Sequence, residues 1–255
     1  MDGAVGDQVR ARVRLEWGRT GAMALLGEHA PRSMAVVVDV LSFGTAVTVA
    51  CEGGARVLPV PWSDPAGAER LAAATGAALA RPRGDGRLSL SPASLRDLGT
   101  QRLVLPSPNG AAITHAVAGT GARVVVGCLR NASAVARAAA AHLDADPEHD
   151  VVLVPAGERW PDGGLRPALE DLLAAGAVAA VLRAHGTGLS PEALAAAALW
   201  SATPDAAAAV LASTSGRELV RTGWPQDVDV AVAVDASRVV PTVVGTDDGP
   251  EVRAG

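Results

Sequence analysis

The sequence predicts an α/β protein: a mostly parallel sheet with helices flanking it. Three observations predict it. Residues 34–40 contain the unbroken β-branched run Val36, Val37 and Val38. Without polar alternation, such a run reads as a strand covered on both faces, as in a parallel sheet. From residue 102 onward, short apolar runs at 102–105, 123–128 and 151–154 alternate with helical stretches beginning near 111, 131 and 167, the rhythm of βαβ units. Right-handed crossovers would then gather the loops after Asp39, Leu105, Cys128 and Val154 at one sheet edge, and in open α/β sheets that edge binds ligands.

Around this frame the other elements follow in order. Residues 8–16 alternate apolar and charged side chains, predicting a half-exposed edge strand whose basic side is solvated. Residues 46–52 read as a helix stopped by Gly53 and Gly54. Residues 56–60 form a short strand, 65–80 an Ala-rich helix, and 81–99 a long excursion rich in Gly, Ser, Pro and Arg. Pro167 suits a first helical position, and Leu169, Leu172, Leu173, Gly176 and Ala180 then share a stripe that should be buried. Further helices are expected at 191–200, 205–211 and 217–221, and closing strands at 228–234 and 238–244. The expected organisation is one unit over 1–245, with two lobes around a cleft as an option, and a loose polar tail over 246–255.

Composition narrows the function. The chain has 255 residues, 49% of them hydrophobic, enough for a sizeable core. No apolar run is long enough to span a membrane and no signal sequence opens the chain, so a cytoplasmic protein is expected. The net charge of −5 argues against a nucleic-acid partner. All 22 basic residues are Arg, so an anion must be held by guanidinium, backbone amides or a metal. Cys51 and Cys128 have no metal-ligand spacing and read as core residues.

The candidate chemistry sits at the strand ends. Asp39 ends a run of valines, where an unpaired carboxylate is costly to bury. It either faces a cation or ligand at the mouth of the sheet or caps the next helix. Asn109-Gly110 is a hairpin dipeptide, yet helical residues follow it. It is a plain turn or a set of helix-start amides suited to an anion. Asn131 sits where an N-cap is wanted, and Arg130 beside it either holds an acid group or is solvated. In the loop 156–166, Gly157 and Arg159 precede Glu170 and Asp171 at the next helix start. Those two acids either complement the helix dipole or join Asp39 in a hard oxygen site for magnesium.

In these motifs the chain resembles the 2-phosphosulfolactate phosphatase family, magnesium-dependent enzymes of coenzyme M biosynthesis. The resemblance covers about residues 34–241. It is carried by Val-Asp-Val-Leu at 38–41, Asn-Gly at 109–110, Asn-Ala-Ser-Ala-Val-Ala at 131–136, Ala-Gly at 156–157, Glu-Asp-Leu-Leu-Ala-Ala-Gly at 170–176, Ser-Gly-Arg-Glu-Leu at 215–219, and Asp227. It implies an α/β fold particular to the family, with its site in a cleft lined by these motifs. It also implies magnesium held or oriented by Asp39, Glu170 and Asp171. Asn109, Gly110, Asn131 and Gly157 would position the substrate, and Arg130 and Arg159 would neutralise its acid groups. Where the family pattern has Arg-Ala-Thr after Asp-Val-Leu, this chain has Ser42-Phe43-Gly44-Thr45, and Arg83, Arg130, Arg159 and Arg166 are the candidates to replace the missing guanidinium.

The expected function is a magnesium-dependent phosphatase acting on a small phosphorylated hydroxy acid. The alternative is a non-catalytic binding protein for a small acidic metabolite on the same fold. Neither nucleic acid nor membrane is an expected partner, and a homodimer is left open.

Overall fold

The computed structural model describes residue 8, residues 11–99 and residues 101–255. In chain order its strands and α-helices are β1 (Val13–Leu15), α1 (Gly18–Leu26), β2 (Ser33–Val38), α2 (Phe43–Glu52), β3 (Arg56–Pro61), α3 (Pro65–Thr75), β4 (Ala78–Leu79), β5 (Arg102–Ser107), α4 (Gly110–Ala118), β6 (Arg123–Gly127), α5 (Ala132–Ala145), β7 (Asp150–Pro155), β8 (Glu158–Arg159), β9 (Leu165–Arg166), α6 (Leu169–Ala184), α7 (Pro191–Ser201), α8 (Ala206–Ala212), α9 (Thr214–Arg221), α10 (Pro225–Ala231), β10 (Pro241–Thr246) and β11 (Gly249–Ala254). No single helix among the described residues is long and apolar enough to cross a membrane.

β2 behaves as its valines require. Met34, Val36 and Val38 enter one apolar cluster, with residues of α5, α6 and α7. Ala35 and Val37, pointing the other way, enter another with residues of α1 and α4. Successive side chains of a strand alternate faces, so an unbroken apolar run is satisfied only by burial on both.

The main sheet runs β1-β7-β2-β6-β10-β11-β3-β5-β4. β1, β7, β2 and β6 are mutually parallel, and so are β3, β5 and β4. The antiparallel hairpin β10–β11 joins the two groups through single registers, Thr242 with Val125 and Val252 with Val57. Three antiparallel steps in series reverse direction, so the β3 group runs opposite to the β6 group. The mostly parallel sheet is as predicted, but its strands do not all end at one edge. The loop after β5 still reaches the end of β2, because α4, which follows it, packs against β2, β5 and β6.

Several local expectations are corrected by tertiary partners. The edge strand is parallel to β7, but Arg14 is only 4% exposed. It pairs with Asp150 at 2.8 Å and donates to the Leu25 carbonyl, so this basic position is not solvated. Val9 and Arg10 lie outside the described residues. The helix expected over 65–80 ends at Thr75, with Gly76 left-handed at its C-cap, and Ala78–Leu79 adds the edge strand β4. The helix expected from Pro167 begins at Leu169, and Leu169 is exposed rather than part of the buried stripe. Residues 228–234 fall largely in α10, not in a strand. Pro225 occupies its first turn, and Asp227 is turned to internal partners. The tail is not loose: β11 completes the sheet, Val252 is fully buried, and Glu251 is paired with Arg102 and Arg253.

α6 carries the acidic pair Glu170–Asp171 and is pinned by its packing on α7, where Gly176 faces the Ala196 carbonyl. A Cβ at 176 would overlap that oxygen and approach within 3.2 Å of Trp200 Cβ. Gly176→Ala should therefore destabilise the fold by roughly 1–3 kcal/mol, even though alanine favours helix. Thermal melting of the variant checks this; an unchanged or raised melting temperature would show that α7 moves away at little cost.

Candidate active site

Asp39 directly follows β2 and is 6% exposed. Its Oδ1 accepts the Phe43 N–H at 3.0 Å, and its Oδ2 accepts the Gly110 N–H at 3.0 Å. Phe43 and Gly110 are the first residues of α2 and α4. First-turn amides have no acceptor within their own helix, so one carboxylate satisfies two helix starts whose dipoles both favour negative charge. The cap reading of Asp39 is what these bonds show, and the same side chain also lines a cavity.

Asp171 is a second clasp. Its Oδ1 accepts the Val40 N–H at 2.7 Å and its Oδ2 the Gly157 N–H at 2.9 Å, tying α6 to the exits of β2 and β7. Gly157 has φ +67°, and a Cβ there would lie 2.7 Å from Leu165 Cδ1, so this amide can be presented only by glycine. Glu170, one residue earlier, is 1% exposed, and its Oε2 has no hydrogen-bond partner among the described residues. Glu158, at the start of the hairpin β8–β9, accepts from Asn109 Nδ2 at 3.0 Å.

Four carboxyl groups thus crowd together. Burial pushes Asp39 up to about 6, opposed by the Phe43 and Gly110 amides; Glu170 raises it further and Arg83 lowers it. Burial, then the charges of Asp39 and Glu170, push Glu158 up to about 7. Asp171 is raised well above the usual carboxylate range by burial, Asp39 and Glu170. In each case loss of water outweighs the hydrogen bonds that favour the anion.

Asp39 and Glu158 line a cavity of about 200 Å³ together with Ser42, Arg83, Asn109 and Glu218. Among the described residues, Arg83 is the one basic residue on its wall. Its Nε donates to Asp227 at 2.9 Å and its Nη2 to Ser42 Oγ at 2.7 Å. Asp227 is fully buried and also accepts from Ser91 Oγ. The long excursion after β4 therefore brings a guanidinium to the cavity, and a buried carboxylate from α10 fixes its direction.

The sequence-predicted residues divide. Asp39, Glu170, Asp171, Asn109, Gly110 and Gly157 come together at the ends of β2, β5 and β7. Asn131 does not join them. It is fully buried; its Oδ1 accepts the Cys128 N–H at 2.9 Å, and its Nδ2 donates to the Val126 and Val239 carbonyls and to Thr48 Oγ1. Arg130 pairs with Glu52 at 3.1 Å and donates to the Val230 carbonyl. Arg159 is exposed and donates to the Gly163 carbonyl within the hairpin. None of these three lines the cavity. Of the four arginines that could replace the missing guanidinium, the fold brings Arg83 to it. Sequence reasoning missed Glu158, whose only signal is its place directly after the Ala-Gly pair, in a loop leaving a strand.

Among the described residues, no three His, Cys, Asp or Glu side chains are placed to hold one ion together. The expected trio of Asp39, Glu170 and Asp171 is not such a group; both oxygens of Asp39 and both of Asp171 accept backbone N–H groups, while Glu170 Oε2 has no partner among the described residues.

The profile of the family described as 2-phosphosulpholactate phosphatase matches residues 22–246. The chain belongs to that family. A Deinococcus radiodurans protein named "Probable 2-phosphosulfolactate phosphatase" is 34% identical over 232 residues, covering 87% of this chain and 92% of that protein. Membership makes this chain a phosphatase, a phosphoric monoester hydrolase, and all the residues gathered around the 200 Å³ cavity lie within the matched span.

Proposed function

We propose that the protein is a magnesium-dependent phosphatase that hydrolyses a small phosphorylated hydroxy acid at the cavity lined by Asp39. The observation that carries this reading is the crowded, mutually repelling carboxylate group beside a single fixed guanidinium. Three buried acids and a half-buried fourth, with too little positive charge, are compatible with folding only if a cation or protons offset them. The unpartnered Oε2 of Glu170 and the remaining lone pairs of Asp39 are the donors that fit magnesium, which commonly takes one or two carboxylates and fills its shell with water and phosphate oxygens. Asp171 then acts by orienting the loops after β2 and β7. Bound there, the ion would polarise a phosphoryl oxygen and offset charge in the transition state.

The chain's own groups supply the rest. Arg83, held by Asp227 and Ser42, neutralises a phosphoryl oxygen from the cavity wall. Water attacks phosphorus and the ester P–O bond breaks; the leaving oxygen takes a proton from an acid in the site, and the proton shed by the attacking water passes to solvent, from which that acid is reprotonated. Glu158 lines the cavity beside Asp39, and its raised pKa keeps it partly protonated near neutrality, so it is placed to donate that proton. Asn109 holds Glu158 in position. Products are inorganic phosphate and the free hydroxy acid. The compartment and pathway that go with this reading, the cytoplasm and coenzyme M biosynthesis, rest on the family resemblance alone.

The test is phosphate release from a panel of phosphorylated hydroxy acids with magnesium, with chelator, and with magnesium restored. Turnover should vanish in chelator and return with the metal. Full turnover in chelator removes the metal from the reaction. Binding of the same compounds without phosphate release by the metal-supplied protein would instead favour a binding protein on this fold.

A further inference from the structure

A cavity of about 190 Å³ opens at the amino ends of β2 and β7, its polar lining supplied by Arg12, Arg14, His29, Glu148, His149 and Asp150. Asp150 opens β7 and lies in register with Ser33, the first residue of β2. Asp39 directly follows the last residue of β2. The length of that strand therefore separates this cavity from the candidate active site, roughly 20 Å at about 3.3 Å per residue. None of its lining residues takes part in the phosphatase reading.

Two charged atoms in this lining are buried and idle. Arg14 is 4% exposed; its Nη1 donates to the Leu25 carbonyl and its Nη2 to Asp150 Oδ2 at 2.8 Å. Its Nε has no partner among the described residues, and neither has Asp150 Oδ1. The ion pair thus leaves one charged donor and one charged acceptor over, where buried polar groups are normally satisfied. The wall around them is fixed. Arg12 donates to the carbonyls of Leu143, Asp146 and His149, which holds the turn after α5 against the edge strand. His149 donates from Nδ1 to the His142 carbonyl and stacks on the His142 ring at 4.2 Å. With the proton on Nδ1, a neutral His149 has an acceptor at Nε2, which also has no partner among the described residues. At about 30 Å³ per molecule the cavity has room for roughly six waters, or for one small solute.

We propose that this cavity binds a small zwitterion, an α- or β-amino acid, whose carboxylate accepts from Arg14 Nε and whose ammonium group donates to Asp150 Oδ1. The charge of the lining selects this class. Arg12 and Arg14 stand against Glu148 and Asp150, so the charged lining among the described residues is balanced when the histidines are neutral. A simple anion meets two carboxylates and leaves Oδ1 idle; a simple cation meets two guanidinium groups and leaves Nε idle. Nε and Oδ1 belong to the two groups joined by the 2.8 Å contact, so one molecule with its charges two or three bonds apart can serve both. Each new bond is charge-assisted on both sides, which makes it stronger than a bond between neutral groups.

The test is calorimetric titration of the whole chain with glycine, L-alanine and β-alanine, against acetate and ethylammonium at matched ionic strength. At least one zwitterion should bind about tenfold or more tightly than either single-charge probe, the worth of one charged hydrogen bond. No saturable heat with any of the three shows a cavity that holds water only and overturns the proposal. Acetate or ethylammonium binding as tightly as the best zwitterion overturns it too. Two variants place the ligand. Asp150→Asn should weaken binding at least about tenfold, but it also breaks a buried ion pair, so its melting is measured alongside. Ala11→Leu fills the cavity from the segment before β1 without touching that pair, so it keeps the test decisive if Asp150→Asn does not fold. It should abolish binding, and unchanged binding overturns the assignment. Asp39→Asn leaves this cavity whole and should bind the same zwitterion as wild type does; loss of binding there puts the ligand in the Asp39 cavity and overturns the second site.

Discussion

Asp39→Asn should lower phosphate release on the order of 10³-fold while leaving the fold intact. The substitution nearly conserves shape but removes the charge, and an amide is a poor ligand for a cation. Its effect on stability combines two opposed contributions. Asn keeps one acceptor oxygen, so of the Phe43 and Gly110 N–H groups that Asp39 now satisfies, one faces an amide NH₂ instead. An unsatisfied buried donor costs about 1–3 kcal/mol. Against this, the buried charge disappears, and with it the repulsion from Glu170 that helps push Asp39 up to about 6. The two nearly cancel, so the melting temperature should move by only a few degrees. Turnover and melting measured side by side separate the roles. Retained turnover would leave Asp39 as a double helix cap and nothing more, and a collapse in stability would make the clasp its main contribution.

The second large effect is an inverted pH dependence of stability in the absence of metal. Unfolded Asp and Glu side chains titrate near 3.8 and 4.5. In the fold Asp39 stands at about 6, Glu158 at about 7, and Asp171 well above its ordinary value. Between the unfolded and folded values the native state holds more protons than the unfolded chain, so stability falls as pH rises through that window. A tenfold difference in proton affinity between the folded and unfolded chain corresponds to about 1.4 kcal/mol, so these groups together amount to several kcal/mol. With chelator present, the melting temperature at pH 5 should exceed that at pH 7.5 by several degrees. Magnesium should raise it more at pH 7.5, where the carboxylates are ionised, than at pH 5. A melting temperature that is flat or rises over this range in chelator would show that the four acids are compensated by groups other than metal or protons.

How much of this was legible beforehand depended on the range of the interaction involved. The valines before Asp39 announced a doubly buried strand because a strand's environment is written in its own periodicity. The alternation of strands and helices likewise announced the sheet. The same logic failed at 228–234, where Val-Asp-Val-Ala-Val mimics a strand but Pro225 starts a helical turn and Asp227 is drawn to Arg83. It failed again at the chain's end. Polarity there suggested solvent, but Glu251 is buried between Arg102 and Arg253, the first of them 149 positions away.

The site divides along the same line. Asp39, Asn109, Gly110, Gly157, Glu170 and Asp171 could be named from the sequence because each stands at the end of a strand or the start of a helix, and such places are marked by local chemistry. Arg130 and Asn131 carry equally good local signals, yet they are spent on Glu52 and on the β6 exit. By itself, the sequence determined the family, the sheet and which loops carry acids. Which oxygens are already taken and which Arg reaches the cavity were decided only by tertiary structure. Arg83 and Asp227 lie 144 residues apart, and Asp39 and Gly110 lie 71 apart. No local pattern encodes such pairings, because the free energy that selects them comes from the packing of the whole sheet.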